Sequence, residues 1–337
     1  MTKTSVVIPN LNGKDWISPT LDSLIKQSEP LQIIVVDNGS TDGSAEFLAD
    51  NYPQIEIIRQ PKNYGFTGGV NPGIQKAIDQ KCKYVALLNN DAVAAKDWLS
   101  QLVNYMESHP KVGIATSKIC DAKKTHLDST GDIYTIWGLS YPRGRGEKDI
   151  NNYDNETLVF GASGGASIYR IKMLKEIGIF DQAFFAYYED IDVSFRAQLA
   201  GWKVAYVPSA VVYHEISATS SKMKGFSTYH TLKNLPFVFW KNVPAPLIPT
   251  ILPRFTLAYS LFFFRALSRG LIWPATKGVT VSFILLPKKL WQRRKIQRNR
   301  RVSAVYINSI LTHDLPPNAR KLRHLRSIWW KLTRSGS

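Results

Sequence analysis

Asp91 follows the apolar run at residues 84–88 and two asparagines, Asn89 and Asn90. A carboxylate at the end of such a run could hold a hard divalent cation, Mg2+ or Mn2+, which prefers oxygen ligands and bridges protein carboxylates to substrate phosphates. Asp37 and Asn38 close a second run, residues 31–36, and carry the hydrogen-bonding groups that read a base or ribose. Asn10 and Asn12 follow a third run, residues 5–9. Farther on, residues 180–196 hold four acids and six aromatics in 17 positions. Glu189, Asp190 and Asp192 head a helical pattern that Gly201 stops, and negative charge is favoured at a helix start. Capping alone would account for them. A carboxylate against an aromatic wall is also a candidate general base, because partial desolvation raises its pKa. Arg196, one turn after Asp192, is a structural partner for it. His214 closes the run at residues 211–213 and is a candidate metal ligand, although a single histidine is more often structural. The glycine-rich stretch 63–73 permits close backbone approach to a ligand, but it is neither Gly-x-Gly-x-x-Gly nor a Walker loop. Cys82, Cys120 and the other histidines show no ligand spacing.

These residues need elements to position them. Apolar runs at 5–9, 31–36, 55–59 and 84–88 read as buried strands. Helical spacing covers 16–27, 69–80 and 98–108, and a further helix starts near Ser44. Later come a helix over 190–200 and two strands, 203–207 and 211–214. Strand and helix alternating at short spacing predict an α/β fold with a parallel sheet covered on both faces, where ligands bind beyond the carboxyl ends of the strands. Asn and Asp are ordinary turn formers at any one strand end. Three strands ending this way at one rim point to function. The chain has 337 residues, 44% of them hydrophobic, which excludes a mostly disordered protein. Two cysteines cannot build a disulfide framework. The apolar run before Pro9 is too short for a secretory signal, so a cytoplasmic setting with reduced thiols is expected.

Charge divides the chain. Residues 216–337 hold 22 of its 43 Lys and Arg side chains and one acid, Asp314, leaving a near-neutral front. Such asymmetry suggests a polyanionic partner. The same region contains apolar, aromatic runs interrupted by Lys241, Arg254, Arg265, Arg269 and Lys277. None of these runs reaches the roughly 18 uncharged residues of a spanning helix. Pro244, Pro246, Pro249 and Pro253 are expected to break the region, and a Lys/Arg cluster follows at 288–301. This pattern predicts helices lying in the headgroup plane of an anionic bilayer, against the plainer alternative of a helical subdomain with a solvated basic face. No nucleic-acid signature is present, and nucleic acid is not expected as a partner.

Taken together, Val6-Val-Ile-Pro-Asn-Leu-Asn-Gly13, Val35-Val-Asp-Asn-Gly-Ser-Thr-Asp-Gly43, Asn63-x-Gly-Phe-x-x-Gly-x-Asn71, Leu87-Leu-Asn-Asn-Asp91, Gly178-x-Phe-Asp181 and Tyr188-Glu-Asp-x-Asp192 resemble the family 2 inverting glycosyltransferases. The resemblance runs in order from about residue 5 to residue 214 and favours the rhamnosyltransferase-like branch. It implies a GT-A fold (a Rossmann-like, mostly parallel sheet with helices on both faces), a nucleotide-sugar donor and Mg2+ or Mn2+. Pro9, Asn10, Asn12, Asp37 and Asn38 would hold the nucleoside. The 63–71 loop, with Asn63, Gly65, Phe66 and Asn71, would line the donor site. Asn89-Asn90-Asp91 stands where the family has Asp-x-Asp. Its first position is Asn, so Asp91 is left as the carboxylate ligand and a lower cation affinity is expected. His214 would complete the metal and diphosphate site. Glu189-Asp190 matches the acceptor-activating pair, with Asp190 taken as base and Glu189 as the alternative. Gly161, Gly164, Gly165 and Tyr188 would lie near sugar and acceptor, whereas Arg196 and Gly201 would serve structure.

The expected protein is therefore a catalytic domain over 1–225 and a basic, aromatic helical region over 226–337 that docks on an anionic membrane surface. It would be cytoplasmic, peripheral at the inner face of the cell membrane. Its expected reaction moves a sugar, by branch resemblance rhamnose from dTDP-rhamnose, to a lipid-linked or polysaccharide acceptor. The other readings are an inactive nucleotide-binding module tethered to membrane or RNA, and a nucleotidyltransferase. Residues 125–153 receive no assignment.

Overall fold

The computed structural model describes residues 3–148, 153–215 and 224–314. The front of the chain alternates as its patterning predicts: β1 (Thr4–Asn10), α1 (Ile17–Ile25), β2 (Gln32–Asp37), α2 (Ser44–Asn51), β3 (Glu56–Arg59), α3 (Gly65–Asp79), β4 (Tyr84–Leu88), β5 (Ala92–Ala94), α4 (Trp98–Ser108) and β6 (Val112–Asp121). The unassigned segment supplies three short strands, β7 (Leu127–Ser129), β8 (Asp132–Tyr134) and β9 (Ser140–Pro142). Then come β10 (Thr157–Leu158), β11 (Ala166–Arg170), α5 (Ile171–Ile177), α6 (Glu189–Leu199) and β12 (Lys203–His214). Four helices end the described chain: α7 (Phe226–Asn242), α8 (Ile248–Ser268), α9 (Ile272–Arg298) and α10 (Ala304–Ser309).

The main sheet has the order β10-β12-β6-β11-β4-β1-β2-β3, with β5 on β12 and β7 on β6. The strands β3, β2, β1, β4, β6 and β12 share one direction, and β11 runs against them between β4 and β6. Chain order reverses at β1, which has β2 on one side and β4 on the other, so the crevice beyond their carboxyl ends is the switch point where ligands bind in such sheets. The helices bury alternate sheet faces because their apolar residues recur at three- and four-residue spacing. Ile17, Leu21 and Leu24 of α1 and Trp98, Leu102 and Met106 of α4 meet Val6, Ile8 and Leu88 on one face. Val70, Ile74 and Ala77 of α3 meet Val7, Val36 and Leu87 on the other.

Three expectations change here. First, the stretch after Asn63 is helical from Gly65 rather than a loop extending to Gly69. Its glycines serve packing within the protein: a Cβ on Gly73 would lie 2.5 Å from Val7 Cγ1, and one on Gly65 would strike the Phe185 carbonyl. Gly65 also has φ +74°, a conformation that disfavours other residues. Second, residues 203–214 form one strand, which shifts register against β6 between Val207 and Val211 and sets His214 opposite Asp121. Third, Pro244 falls at the break between α7 and the next helical segment, as expected, but Pro246, Pro249 and Pro253 do not interrupt that segment. Pro249 lies in the first turn of α8, where its missing N–H costs nothing, and Ala245–Ser268 forms a helical segment of 24 residues. By length and composition that segment suffices to cross a bilayer, which the apolar runs alone did not indicate. The chain join at 216–223 and the basic end at 315–337 lie outside the described residues.

The C-terminal helices pack against the elements that carry the candidate site. Leu235, Phe237, Val238 and Phe239 of α7 share a core with Phe184, with Ile191 and Phe195 of α6, and with Phe255 of α8. A buried charge network crosses the same contact. Lys241 Nζ donates to Asp181 Oδ2 at 2.8 Å and to Asp192 Oδ2 at 2.9 Å, and Lys289 Nζ of α9 donates to Asp181 Oδ2 at 2.7 Å. Arg196 Nε donates to Asp192 at 2.9 Å, so the expected Asp192–Arg196 pair forms within this network.

Candidate functional site

The polar ends of three adjacent strands are stitched together. Asn10 Nδ2, at the end of β1, donates to Asp37 Oδ1 of β2 at 3.1 Å, and Asn90 Nδ2, after β4, donates to Asn10 Oδ1 at 2.9 Å. Asn38 Nδ2 donates to the Gly65 carbonyl at 2.9 Å, and Asn38 Oδ1 accepts from the Tyr64 N–H at 3.0 Å, which fixes the start of α3. A cavity of about 300 Å³ opens over this rim. It is lined by Pro9, Asn10, Asn38, Asn63, Gly65 and Phe66, by Asn89, Asn90, Asp91 and His214, and by Phe185, Ala186, Tyr187, Glu189 and Phe226.

Asp91 and His214 meet although 123 residues separate them, because β12 carries His214 past β6 and pairs with β5 just after Asp91. His214 Nε2 lies 3.1 Å from Asp91 Oδ1, and Asn89 Nδ2 lies 3.2 Å from the same nitrogen. On the other side of the ring, Nδ1 donates to Asp128 Oδ2 at 2.9 Å. Burial disfavours the imidazolium, but the hydrogen bonds and charges of Asp128 and Asp91 prevail and push His214 up to about 9. Burial would raise the Asp128 carboxyl, yet His214 and Arg145 hold it below its usual range.

Part of the lining is a strained loop. Phe185, Tyr187 and Tyr188 all have positive φ, at 66°, 68° and 70°. Such backbone costs free energy and persists only when its surroundings hold it. Here α7 does so. Lys233 Nζ donates to the carbonyls of Ala183 and Phe184, each at 3.0 Å. Asn234 Nδ2 reaches the carbonyls of Phe184, Ala186 and Tyr187 at 2.8–3.0 Å. Tyr188 then caps α6, whose first turn carries the acids.

The two adjacent acids are held differently. Asp190 Oδ2 accepts from the Gly164 N–H at 3.1 Å, and Oδ1 accepts from the Ile191 N–H at 2.8 Å. Burial raises its pKa, with those N–H groups pulling in the opposite direction. Glu189 lines the cavity at 6% exposure, and its Oε2 has no hydrogen-bond partner among the described residues. Burial first, then the neighbouring Asp190 charge, raises its pKa well above the usual range. Asp132 of β8 is buried too and is raised by burial and by Asp190.

Of the residues singled out from the sequence, Pro9, Asn10, Asn38, Asn63, Gly65, Phe66, Asn89, Asn90, Asp91, Glu189 and His214 line the cavity. Others brace it from behind. Asp37 anchors Asn10. Asn12 accepts from the Thr41 N–H at 2.8 Å and fixes the turn after β2. Asn71 points away, its Nδ2 donating to the Phe180 carbonyl at 2.9 Å inside the core. Gly164 binds Asp190, the Gly165 carbonyl accepts from the Asn89 N–H at 2.9 Å, and Tyr188 turns the chain into α6. Asp128 and Phe226 escaped the sequence reading. Asp128 sits in a segment with no clear periodicity, and Phe226 follows the expected domain boundary, where a helix-opening aromatic after Gly225 was the available signal.

The donor set suits a hard cation shared with a phosphorylated ligand. It offers one carboxylate and one imidazole 3.1 Å apart, and no group of three or more His, Cys, Asp and Glu side chains among the described residues is arranged to hold an ion alone. Diphosphate oxygens would supply the remaining ligands.

A largely parallel sheet with a polar cavity at its switch point, lined by the Asp91–His214 pair and by Glu189, defines an α/β protein of the GT-A class. The model of glycosyl transferase family 2 matches residues 5–178, just over half of the chain, and the chain belongs to that family. It is 26% identical over 204 residues to N-acetylglucosaminyl-diphospho-decaprenol L-rhamnosyltransferase of Mycobacterium tuberculosis, a match that covers 55% of this chain and 66% of the relative. The chain thus spans just under two thirds of that relative's length. It is 27% identical over 223 residues to rhamnosyltransferase WbbL of Escherichia coli, covering 62% of this chain and 82% of WbbL. Among solved structures, the mannosyltransferase PcManGT from Pyrobaculum calidifontis, in complex with GDP-Man and Mn2+, superposes with a TM-score of 0.51 at 16% identity over 88% of this chain and 84% of that one.

Proposed function

We propose that this chain is an inverting glycosyltransferase that moves a sugar, rhamnose by analogy with its relatives, from a nucleotide-sugar donor to a hydroxyl of a lipid-linked or polysaccharide acceptor. The observation that carries this reading is the convergence of the three strand ends, Asp91 with His214, and Glu189 of the first turn of α6 on one cavity, with Asp190 next to Glu189 in the chain. Asn10, Asn38 and Asn63 line the part of the cavity where a nucleoside would sit. Asp91 and His214 would hold Mg2+ or Mn2+, which when bound neutralises the diphosphate leaving group. Asp190, oriented by two backbone N–H groups and raised toward neutrality by burial, accepts the acceptor hydroxyl proton as that oxygen attacks the anomeric carbon. The new C–O bond forms as the bond to the diphosphate breaks, and one displacement inverts the anomeric centre. Glu189, whose carboxyl burial and then the neighbouring Asp190 charge raise well above its usual range, is the alternative base.

The outer faces of α8 and α9 support docking on an anionic membrane. Leu257, Leu261 and Phe264 of α8 and Trp273, Ile284 and Trp291 of α9 are each more than half exposed, and Arg265, Lys277, Lys288 and Arg294 are interspersed among them. Aromatic and basic side chains on one helical face suit the headgroup layer, and Ile251, Phe255 and Ala258 hold the opposite face of α8 on the protein. Such docking would hold the enzyme at the inner face of the cell membrane, beside a lipid-linked acceptor.

Calorimetric binding of dTDP-, UDP- and GDP-sugars, with and without Mn2+, tests the donor reading. Metal-dependent binding of one nucleotide class is expected. Binding of none, by a folded sample, refutes it.

A further inference from the structure

We propose that Asp128 is a positioning residue for the cation site, fixing the ring of His214 so that Nε2 stays on the Asp91 side. This rests on the reading of Asp91 and His214 as cation ligands.

The strand geometry argues for it. In the antiparallel pairing of β6 with β7, Leu127 faces Cys120 and Ser129 faces the next residue, Ile119, so the register skips Asp128. A bulge of this kind re-aims a side chain and is common beside active sites. The side chain it re-aims is 5% exposed and meets the imidazole edge-on, with Oδ2 accepting from Nδ1 at 2.9 Å. Oδ1 is occupied separately by Arg145, whose Nε and Nη2 donate at 2.9 and 2.6 Å. Arg145 thereby compensates the buried charge and leaves Oδ2 for the ring.

The consequence for His214 is chemical as well as steric. A carboxylate on Nδ1 keeps a proton on that side, so Nε2 is the ring nitrogen left to meet a cation bound beside Asp91. Without Asp128 the imidazole could rotate about its Cβ–Cγ bond and present either nitrogen or neither.

The test is an electron paramagnetic resonance titration of Mn2+ into the full-length protein, alone and with UDP, for wild type, Asp128→Ala, Asp128→Asn and His214→Ala. Outer carboxylates of this kind typically alter metal affinity by about 10–100-fold, and that loss is expected for Asp128→Ala. Asp128→Asn retains an oxygen for the Nδ1 proton at nearly the same size, so it should lose less and remain folded if the alanine variant does not. Raising Mn2+ should restore turnover in both Asp128 variants, a rescue that a merely structural defect would not show. Unchanged affinity in both Asp128 variants, with a loss in His214→Ala, overturns the positioning role and leaves the ligand assignment standing. Unchanged affinity in His214→Ala as well, or no Mn2+ binding by wild type, overturns the ligand assignment and the positioning role together.

Discussion

Replacing Lys241 with methionine tests whether α7 holds the helix that carries Glu189 and Asp190. Methionine retains most of the buried aliphatic chain and removes two charge-assisted hydrogen bonds, to Asp181 at 2.8 Å and to Asp192 at 2.9 Å. Each such bond is worth about 1.5–3 kcal/mol. Neither carboxylate is stranded, because Asp181 keeps Lys289 at 2.7 Å and Asp192 keeps Arg196 and Asn242, both at 2.9 Å. The ammonium's own desolvation cost also disappears. Complete orphaning of a buried charge costs about 3–5 kcal/mol, so the retained partners bring the expected loss to about 2–3 kcal/mol. Lys289→Met should cost less, about 0–1 kcal/mol: it removes one bond, and burial already lowers the Lys289 pKa despite Asp181. Urea unfolding at pH 7, followed by circular dichroism, measures both. A Lys241→Met loss below about 0.5 kcal/mol, or a larger loss for Lys289→Met, would refute the reasoning. The pH dependence has a definite sign. Burial raises both carboxyls, but Lys241 and the other cations hold Asp181 and Asp192 below their unfolded values. The network's contribution is therefore full above about pH 4 and is lost as the pH falls through the lower folded-state values.

Asp190→Asn should bind donor within about threefold of wild type yet lose roughly 10²–10⁴ in transfer, and normal turnover by that variant would remove Asp190 as base. Because the Asp190 pKa is raised and a base must be unprotonated, kcat should rise with pH through a midpoint above the ordinary carboxylate range; a profile already flat at pH 4 contradicts this. Gly73→Ala places a methyl 2.5 Å from Val7 Cγ1 and should destabilise by about 1–3 kcal/mol in the same urea assay, whereas an unchanged midpoint would show that α3 can lift from β1 at no cost. Ile284→Glu combined with Trp291→Glu should abolish flotation with anionic vesicles while leaving donor binding intact, and equal flotation would count against membrane docking through α9.

The sequence determined the parts whose signal is local. Runs such as Tyr84–Leu88 and the spacing of Trp98, Leu102 and Met106 specify strand and helix through periodicity alone. The polar residues that follow β1, β2 and β4 were legible as one rim because parallel strands in such a sheet place their carboxyl ends together. Tertiary structure decided what required partners distant in the chain. Only β12 pairing with β5 sets His214 against Asp91, and only a bulge in β7 brings in Asp128, which no helical or strand period announces. Glycines read as room for a ligand turn out to admit Val7 and the Phe185 carbonyl, since the same missing Cβ serves either neighbour. The prolines of the C-terminal region read as breaks, but Pro249 occupies a first turn where no N–H is needed. The basic composition of that region pointed outward to a membrane. Its buried lysines, Lys233, Lys241 and Lys289, instead hold the strained loop and the first turn of α6, because a charge can be buried only where folding supplies carbonyls and carboxylates to receive it.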